Sequence, residues 1–199
     1  MRVVPIVEGH GEMAAVPVLL RKLAQWRTPG SFPEVSTPIR VRKDRFLNRD
    51  EEFQRYLHLA AAKCGDDGWI LILLDADADC PAELAPQIIE RAKACAAHRP
   101  VSIVLAKREY EAWFIAAASS LDGKREFSLS TTVPIDAETP RDAKGWIGAR
   151  IAGRAYSEIT DQPAFSALMD LQQAFDGSRS FRKLCAEWDK RAATGTSLG

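Results

Sequence analysis

The chain has 199 residues, 46% of them hydrophobic, and its 27 Lys+Arg balance 27 Asp+Glu to leave no formal net charge. That length suits one domain with a small appendage, and that apolar content excludes a chain disordered by composition. Neutrality argues against wholesale coating of a polyanion and leaves only a local basic groove for such a partner.

Arg2 to Val7 reads as a first strand, apolar after its opening residue. Glu8-Gly-His-Gly-Glu12 is a glycine-rich turn. Met13 to Trp26 has helical spacing, with Val16, Leu19, Leu20 and Leu23 on one face. Pro17 falls in the first turns, where proline is best tolerated. After the Thr28 to Pro33 loop, Val35 to Val41 reads as a short second strand. Asp50 to Cys64 is an amphipathic helix with Phe53, Tyr56, Leu57 and Ala60 inward, stopped by Asp66-Asp-Gly68. Trp69 to Leu74 is a buried strand. Pro81 to Ala97 is a helix with Asp79 or Cys80 as its N-cap. Val101 to Ala106 is the next strand, and Glu109 to Ala118 opens a further helix.

Alternating strands and helices predict a parallel α/β sheet. Beyond Leu121 the character changes. Ser128 to Pro140 is rich in Ser, Thr and Pro, and three short helices follow over Arg141 to Ile151, Pro163 to Phe175 and Ser178 to Arg191. They predict a helical C-terminal extension packed on the sheet, ending in a frayed tail from Thr194 to Gly199.

The four cysteines, Cys64, Cys80, Cys95 and Cys185, form no CxxC pair, which argues against a zinc site or a disulfide framework. Isolated thiols without a secretory leader point to a reducing cytoplasm. No apolar run approaches the ~20 residues that span a bilayer.

Chemistry concentrates after the third predicted strand. Asp75, Asp77 and Asp79 follow six mostly aliphatic residues at once. Acids packed that closely repel one another, and Mg²⁺ or Mn²⁺ resolves the conflict because hard cations take carboxylate oxygens. Open α/β sheets place their chemistry at this C-terminal edge. If the first strand lies beside this one, Glu8 joins Asp75 and Asp77 around one cavity. Gly9 and Gly11 permit close approach of a ligand. Asp79 fits an N-cap better than a ligand position.

Glu109 and Glu111 fall at the same edge, where each suits either a site or the positive end of a helix. Lys107 or Arg108 could meet a phosphate oxygen. His10 suits a solvated turn as well as a ligand. Arg40, Arg42, Lys43 and Arg45 make a basic segment that fits a phosphate backbone or a solvated face.

Several alternatives fail. No P-loop and no Ser-His-Asp arrangement can be read. The Asp75-x-Asp77-x-Asp79 run begins like an EF-hand, but Cys80 replaces the glycine, Pro86 replaces the bidentate glutamate, and a strand precedes the loop. A dehalogenase-like phosphatase needs its Asp pair after the first strand. A glycosyltransferase needs a longer chain.

A strand ending in Glu8-Gly9, a later strand ending in Asp75-x-Asp77 and parallel alternation between them resemble a Toprim domain, the metal-binding module of topoisomerases, bacterial primases and OLD-family nucleases. Val7-Glu8-Gly9-His10-Gly11-Glu12 is most similar to the OLD-type form, and Arg108-Glu-Tyr-Glu111 is similar to that group's next acidic segment. The whole chain also resembles small stand-alone bacterial Toprim-like proteins through Tyr156-x-x-x-Thr-Asp-Gln162 and Ser178-Arg-Ser-Phe-Arg182.

The resemblance covers residues 1 to 120 as a Rossmann-like core, with 121 to 199 as the extension. It implies a Mg²⁺- or Mn²⁺-dependent nuclease on DNA or RNA, of the kind used in phage defence or repair. It makes Glu8 a general acid/base or a ligand, gives Asp75 and Asp77 to one cation with Asp79 beside them, and lets Glu12 and Glu111 complete a second. Lys107, Arg108, Lys144 and Arg179 are its candidates for a transition-state or nucleic-acid cation. The chain carries no ATPase domain, so an ATPase would be a separate partner, and a non-catalytic, metal-binding subunit of such a pair is the rival reading.

Overall fold

The computed structural model describes residues 1–129 and 136–195. The middle of the predicted Ser128 to Pro140 segment and the last four residues of the predicted tail lie outside the described residues.

Among the described residues five parallel strands make the sheet. They are β1 (Arg2–Val7), β2 (Glu34–Val35), β3 (Ile39–Arg40), β4 (Gly68–Asp75) and β5 (Val101–Ala106). The order is β2-β1-β4-β5, with β3 also on β1. Ile6 pairs with Ile72, Val7 with Arg40, and Asp75 with Ala106, so the C-terminal ends of four strands lie side by side.

Side chains alternate between two buried clusters. Val3, Val7, Trp69, Leu71 and Leu73 face one layer, and Val4, Ile6, Ile70, Ile72 and Leu74 face the other. Burial on both faces explains the unbroken apolar run of β4. The first layer holds α1 (Glu12–Arg27), α5 (Ala112–Ala116), α6 (Ala118–Leu121), α7 (Ala143–Gly148), α8 (Glu158–Leu168), α9 (Leu171–Gly177) and α10 (Arg179–Gly195). The second holds α2 (Lys43–Asn48), α3 (Asp50–Cys64) and α4 (Pro81–Cys95). The architecture is α/β and Rossmann-like, with helices on both faces and a helical C-terminal stretch. The stretch joins the sheet's own core through Phe165, Phe181 and Trp188. No described helix is long and apolar enough to cross a membrane.

Four expectations change. The strand over Val35 to Val41 is two two-residue pieces, because Pro38 lacks an N–H for the ladder. Half of the basic segment, Lys43 to Asn48, is helix α2. The helix over Pro163 to Phe175 starts earlier, at Glu158, and breaks at Met169-Asp170, where the Asp170 carboxylate accepts from Gln173 N and starts α9. The helix from Arg141 shrinks to α7, fixed by Asp142 accepting from Gly145 N at 2.7 Å.

A buried charge ties down the connection between α6 and α8. The Asp161 carboxylate has 0% side-chain exposure and accepts from both Arg125 and Arg154. It also accepts from Ser157 N at 2.9 Å. Burial alone would push this acid up, but the bonds from Arg154, Ser157 and Arg125 outweigh it and hold it below the usual carboxylate range.

Candidate functional site

Glu8 follows β1 directly, Asp75 ends β4, and the turn after β5 carries Lys107 to Glu111. Sheet register alone therefore gathers these residues at one edge. Two bonds tie the neighbouring turns together. Tyr110 N donates to Asp75 Oδ1 at 2.8 Å, and Asp77 N donates to Arg108 O at 2.7 Å. Asp77 has a left-handed backbone (φ 49°), a conformation that aspartate tolerates better than most residues. Glu12, the first residue of α1, reaches back so that its Oε2 accepts from Glu8 N at 3.0 Å and Gly9 N at 3.2 Å.

The inner half of the site is buried. Glu12 is 3% exposed, Asp75 9% and Glu111 0%. Tyr156 OH and Gln162 Nε2 both donate to Glu111 Oε1, at 3.0 and 2.8 Å. Glu8 Oε2 and Glu111 Oε2 are buried without a hydrogen-bond partner among the described residues.

Desolvation and mutual repulsion push these acids up together. Burial, then Glu12 and Glu111, raise Asp75 well above the carboxylate range. Burial raises Glu12 to about 7 against the two backbone bonds that pull it down, with Glu111 and Glu8 adding to the rise. Burial raises Glu111, and burial with Asp77 raises Glu8. The counter-charge is Lys144 of α7, whose Nζ lies 3.2 Å from Glu158 Oε1. Burial works against its ammonium, but Glu111, Asp75 and Glu158 outweigh that and raise it. Glu109 fixes the helix that carries it, since Lys144 N donates to Glu109 Oε2 at 2.9 Å.

The outer half is an open cleft of about 480 Å³ lined by Glu8, Lys43, Asp44, Asp77 and Asp79 among others. Lys43 Nζ lies 2.7 Å from Asp77 Oδ2 and 3.2 Å from Asp79 Oδ2. Glu8 joins the two halves: it lines the cleft and feels the charges of Asp77, Lys43 and Lys144.

A family model described as "Domain of unknown function (DUF4276)" matches residues 7–188. The chain belongs to the DUF4276 family. No curated protein and no solved structure matches it.

In this DUF4276 chain Glu8, Asp75, Asp77 and Glu111 lie at one sheet edge, and Asp79 plays another part than a cap. Asp79 does not cap α4: the N-cap is Cys80, without a side-chain bond, and Asp79 pairs with Lys43 instead. Glu111 does stand at a helix start, as the N-cap of α5, and it is wholly buried on Tyr156 and Gln162. Lys43 turns from the basic segment into the acidic cleft. Arg40, Arg42 and Arg45 stay outside it, around a separate hollow of about 220 Å³ with Glu52 and Tyr56. Lys107 Nζ points to Asp79 O at 3.5 Å, and Arg108 contributes its carbonyl to Asp77. Arg179 is exposed between Ser178 and Ser180, and Ser180 Oγ accepts from Lys107 N at 3.2 Å. His10 is exposed.

The sequence assigns no role to Glu158, and Tyr156 and Gln162 enter it only through the resemblance of the tail.

Among the described residues no group of three or more His, Cys, Asp or Glu side chains is arranged to hold a metal ion. The donor chemistry nevertheless fits a hard cation. Every donor is a carboxylate oxygen, two of these oxygens are buried without partners among the described residues, and the acids are raised by burial and then by one another's charge.

Gly11 explains how α8 comes so close. A Cβ there would lie 2.2 Å from Gln162 Oε1 and 2.3 Å from Glu158 O. Gly11→Ala is expected to push α8 off α1, cost roughly 1–3 kcal/mol as an overpacked contact does, and weaken the hold on Glu111. Thermal melts check the first, and a wild-type melting temperature would contradict it.

Proposed function

We propose that this chain is a divalent-cation-dependent phosphodiesterase acting on nucleic acid, with a Toprim-like division of labour. One observation carries the reading: Glu8, Glu12, Asp75, Asp77 and Glu111 meet at one sheet edge, and unbonded carboxylate oxygens are buried among them. Asp75 and Asp77, with Asp79 beside them, would hold one cation, and Glu12 with Glu111 a second. Mg²⁺ or Mn²⁺ there would supply charge stabilisation to the phosphoryl and leaving oxygens.

The chain's own groups supply the rest. Glu8 is half-buried with Oε2 free, and burial raises it towards a useful base strength. It takes the proton of the attacking water as the water oxygen bonds phosphorus and the bond to the leaving oxygen breaks. Lys144, held by Glu109 and Glu158, offsets negative charge beside that reaction. Arg40 and Arg42, exposed beside the cleft-forming helix α2, suit the flanking backbone phosphates of DNA or RNA.

A second reading has one observation behind it. Lys43 and Lys144 already offset part of the negative charge, as they would in a non-catalytic ionic cluster of a partner subunit.

The test is incubation of the purified chain with supercoiled plasmid, single-stranded DNA and RNA, with Mn²⁺, Mg²⁺ or EDTA. Cation-dependent cleavage is expected, and Glu8→Gln should lower it roughly 10²–10⁴-fold, the usual scale for a general base. Cation binding without any cleavage would favour the second reading. Cleavage that survives Glu8→Gln would overturn the first.

A further inference from the structure

The outer cleft holds an arrangement that the phosphodiesterase reading does not require. The Lys43 side chain is 10% exposed, yet its ammonium reaches two aspartates that are 59% and 54% exposed. A lysine in the first turn of a surface helix normally extends into water. This one runs inward, and its head emerges between Asp77 and Asp79. Both carboxylates lie within 3.2 Å of the one nitrogen, so a single cation serves the pair. Glu8 and Asp44 line the same cleft. Asp44 is already bonded to Asn48, and Arg91 to Asp50 and Leu47 O. Among the described residues Lys43 is therefore the lining cation given over to Asp77 and Asp79.

We propose that Lys43 is an exchangeable resident cation: it occupies Asp77 and Asp79 in the metal-free protein, yields them to the divalent ion, and then contacts a phosphate of the substrate. This rests on the phosphodiesterase reading and assigns a further role within its site. The charge argument is direct. An ammonium and a divalent ion cannot share the same two carboxylates without strong repulsion at that separation. The distances agree. Ammonium contacts of 2.7 and 3.2 Å hold these oxygens about 1 Å or less beyond the spacing a small divalent cation takes, so loading needs only a short closure once Lys43 leaves. The displaced side chain stays anchored by its buried stem. Its head then faces the open cleft of about 480 Å³ that Lys43 lines, beside the ions that would bind the phosphate.

The experiment is titration calorimetry of Mn²⁺ into the whole protein and its variants, paired with plasmid nicking at saturating Mn²⁺. Lys43→Met is expected to bind Mn²⁺ about tenfold tighter or more, since it removes one competing charge. Its nicking rate at saturation is expected to fall at least about tenfold, because the phosphate contact is gone. Lys43→Arg should return affinity towards wild type. Arg42→Met removes a neighbouring exposed charge and should leave affinity within about twofold, which separates placement from general electrostatics. Unchanged or weaker Mn²⁺ binding by Lys43→Met overturns the exchange, and tighter binding with undiminished nicking overturns the phosphate contact. In both cases the phosphodiesterase reading stands as long as wild type nicks. Absence of Mn²⁺ binding and nicking in every variant sinks that reading itself.

Discussion

Asp75→Asn is expected to abolish cation-dependent nicking and, at the same time, to make the metal-free protein more stable at neutral pH. The two effects have one cause. Asp75 is 9% exposed and faces the charges of Glu12, Glu111 and Glu8. Among the described residues its donor is the Tyr110 amide, a bond that an asparagine oxygen keeps. The substitution therefore removes charge and keeps the turn after β5 tied to the end of β4. A ligand worth several kcal/mol to the transition state corresponds to a loss of roughly 10³-fold or more. Removing a desolvated, repelled acid should raise the melting temperature by a few degrees, since about 1 kcal/mol shifts a chain of this size by roughly 2–4 °C. Plasmid nicking and thermal melts in EDTA read the two effects. A variant that nicks like wild type ends the assignment of Asp75 as a ligand. One that nicks poorly and also melts lower would make Asp75 a structural acid.

The sheet edge was readable because strand and function are contiguous there. Glu8, Asp75 and Asp77 directly follow runs whose burial on both faces leaves no other element to assign, so register delivers them together. What completes the site comes from far along the chain. Lys144 rides on a six-residue helix fixed by Glu109, and Tyr156 and Gln162 come from a segment that reaches Glu111 only because Gly11 lets α8 close on α1. None of that is local, and short helices carry too few turns to show which face is inward.

Lys43 is the sharpest case. In Arg40-Val-Arg-Lys-Asp-Arg45 every cation has the same claim to a solvated face. Only burial of Phe46 beneath the same helix turns position 43 toward the aspartates. Asp79 was misread for the matching reason: its spacing from Pro81 suits a cap, and a lysine 36 residues earlier takes it instead.

In EDTA, stability is expected to fall as pH rises from about 4.5 to 7, the opposite of the acid-side trend most proteins show over part of this range. Glu12 sets the window. Below its ordinary value of 4.5 the carboxyl is protonated whether or not the chain is folded, so folding meets no electrostatic cost there. Between 4.5 and about 7 the unfolded chain releases that proton while the buried site keeps it, and stability drains away as pH climbs. For one such group the loss at neutral pH is roughly 3 kcal/mol. Asp75, Glu8 and Glu111 are raised as well and carry the same sign. Asp161 has the opposite sign: it is held low by Arg154 and Arg125, so its contribution is present above the usual aspartate range and lost only in stronger acid. The metal-free maximum should therefore fall near pH 4–5.

Mn²⁺ should reverse the slope, because cation binding is coupled to release of protons from these acids and strengthens as pH rises. At pH 7–8 a recovery of roughly 6–12 °C in melting temperature follows from about 3 kcal/mol. Glu12→Gln can still accept from Glu8 N and Gly9 N, and should flatten the metal-free profile. A metal-free protein whose stability climbs steadily from pH 5 to 8, or a Glu12→Gln variant with the wild-type slope, would mean that these acids do not share one desolvated pocket. Without that pocket the case for a cation at this edge fails, whatever the order of the acids in the sequence.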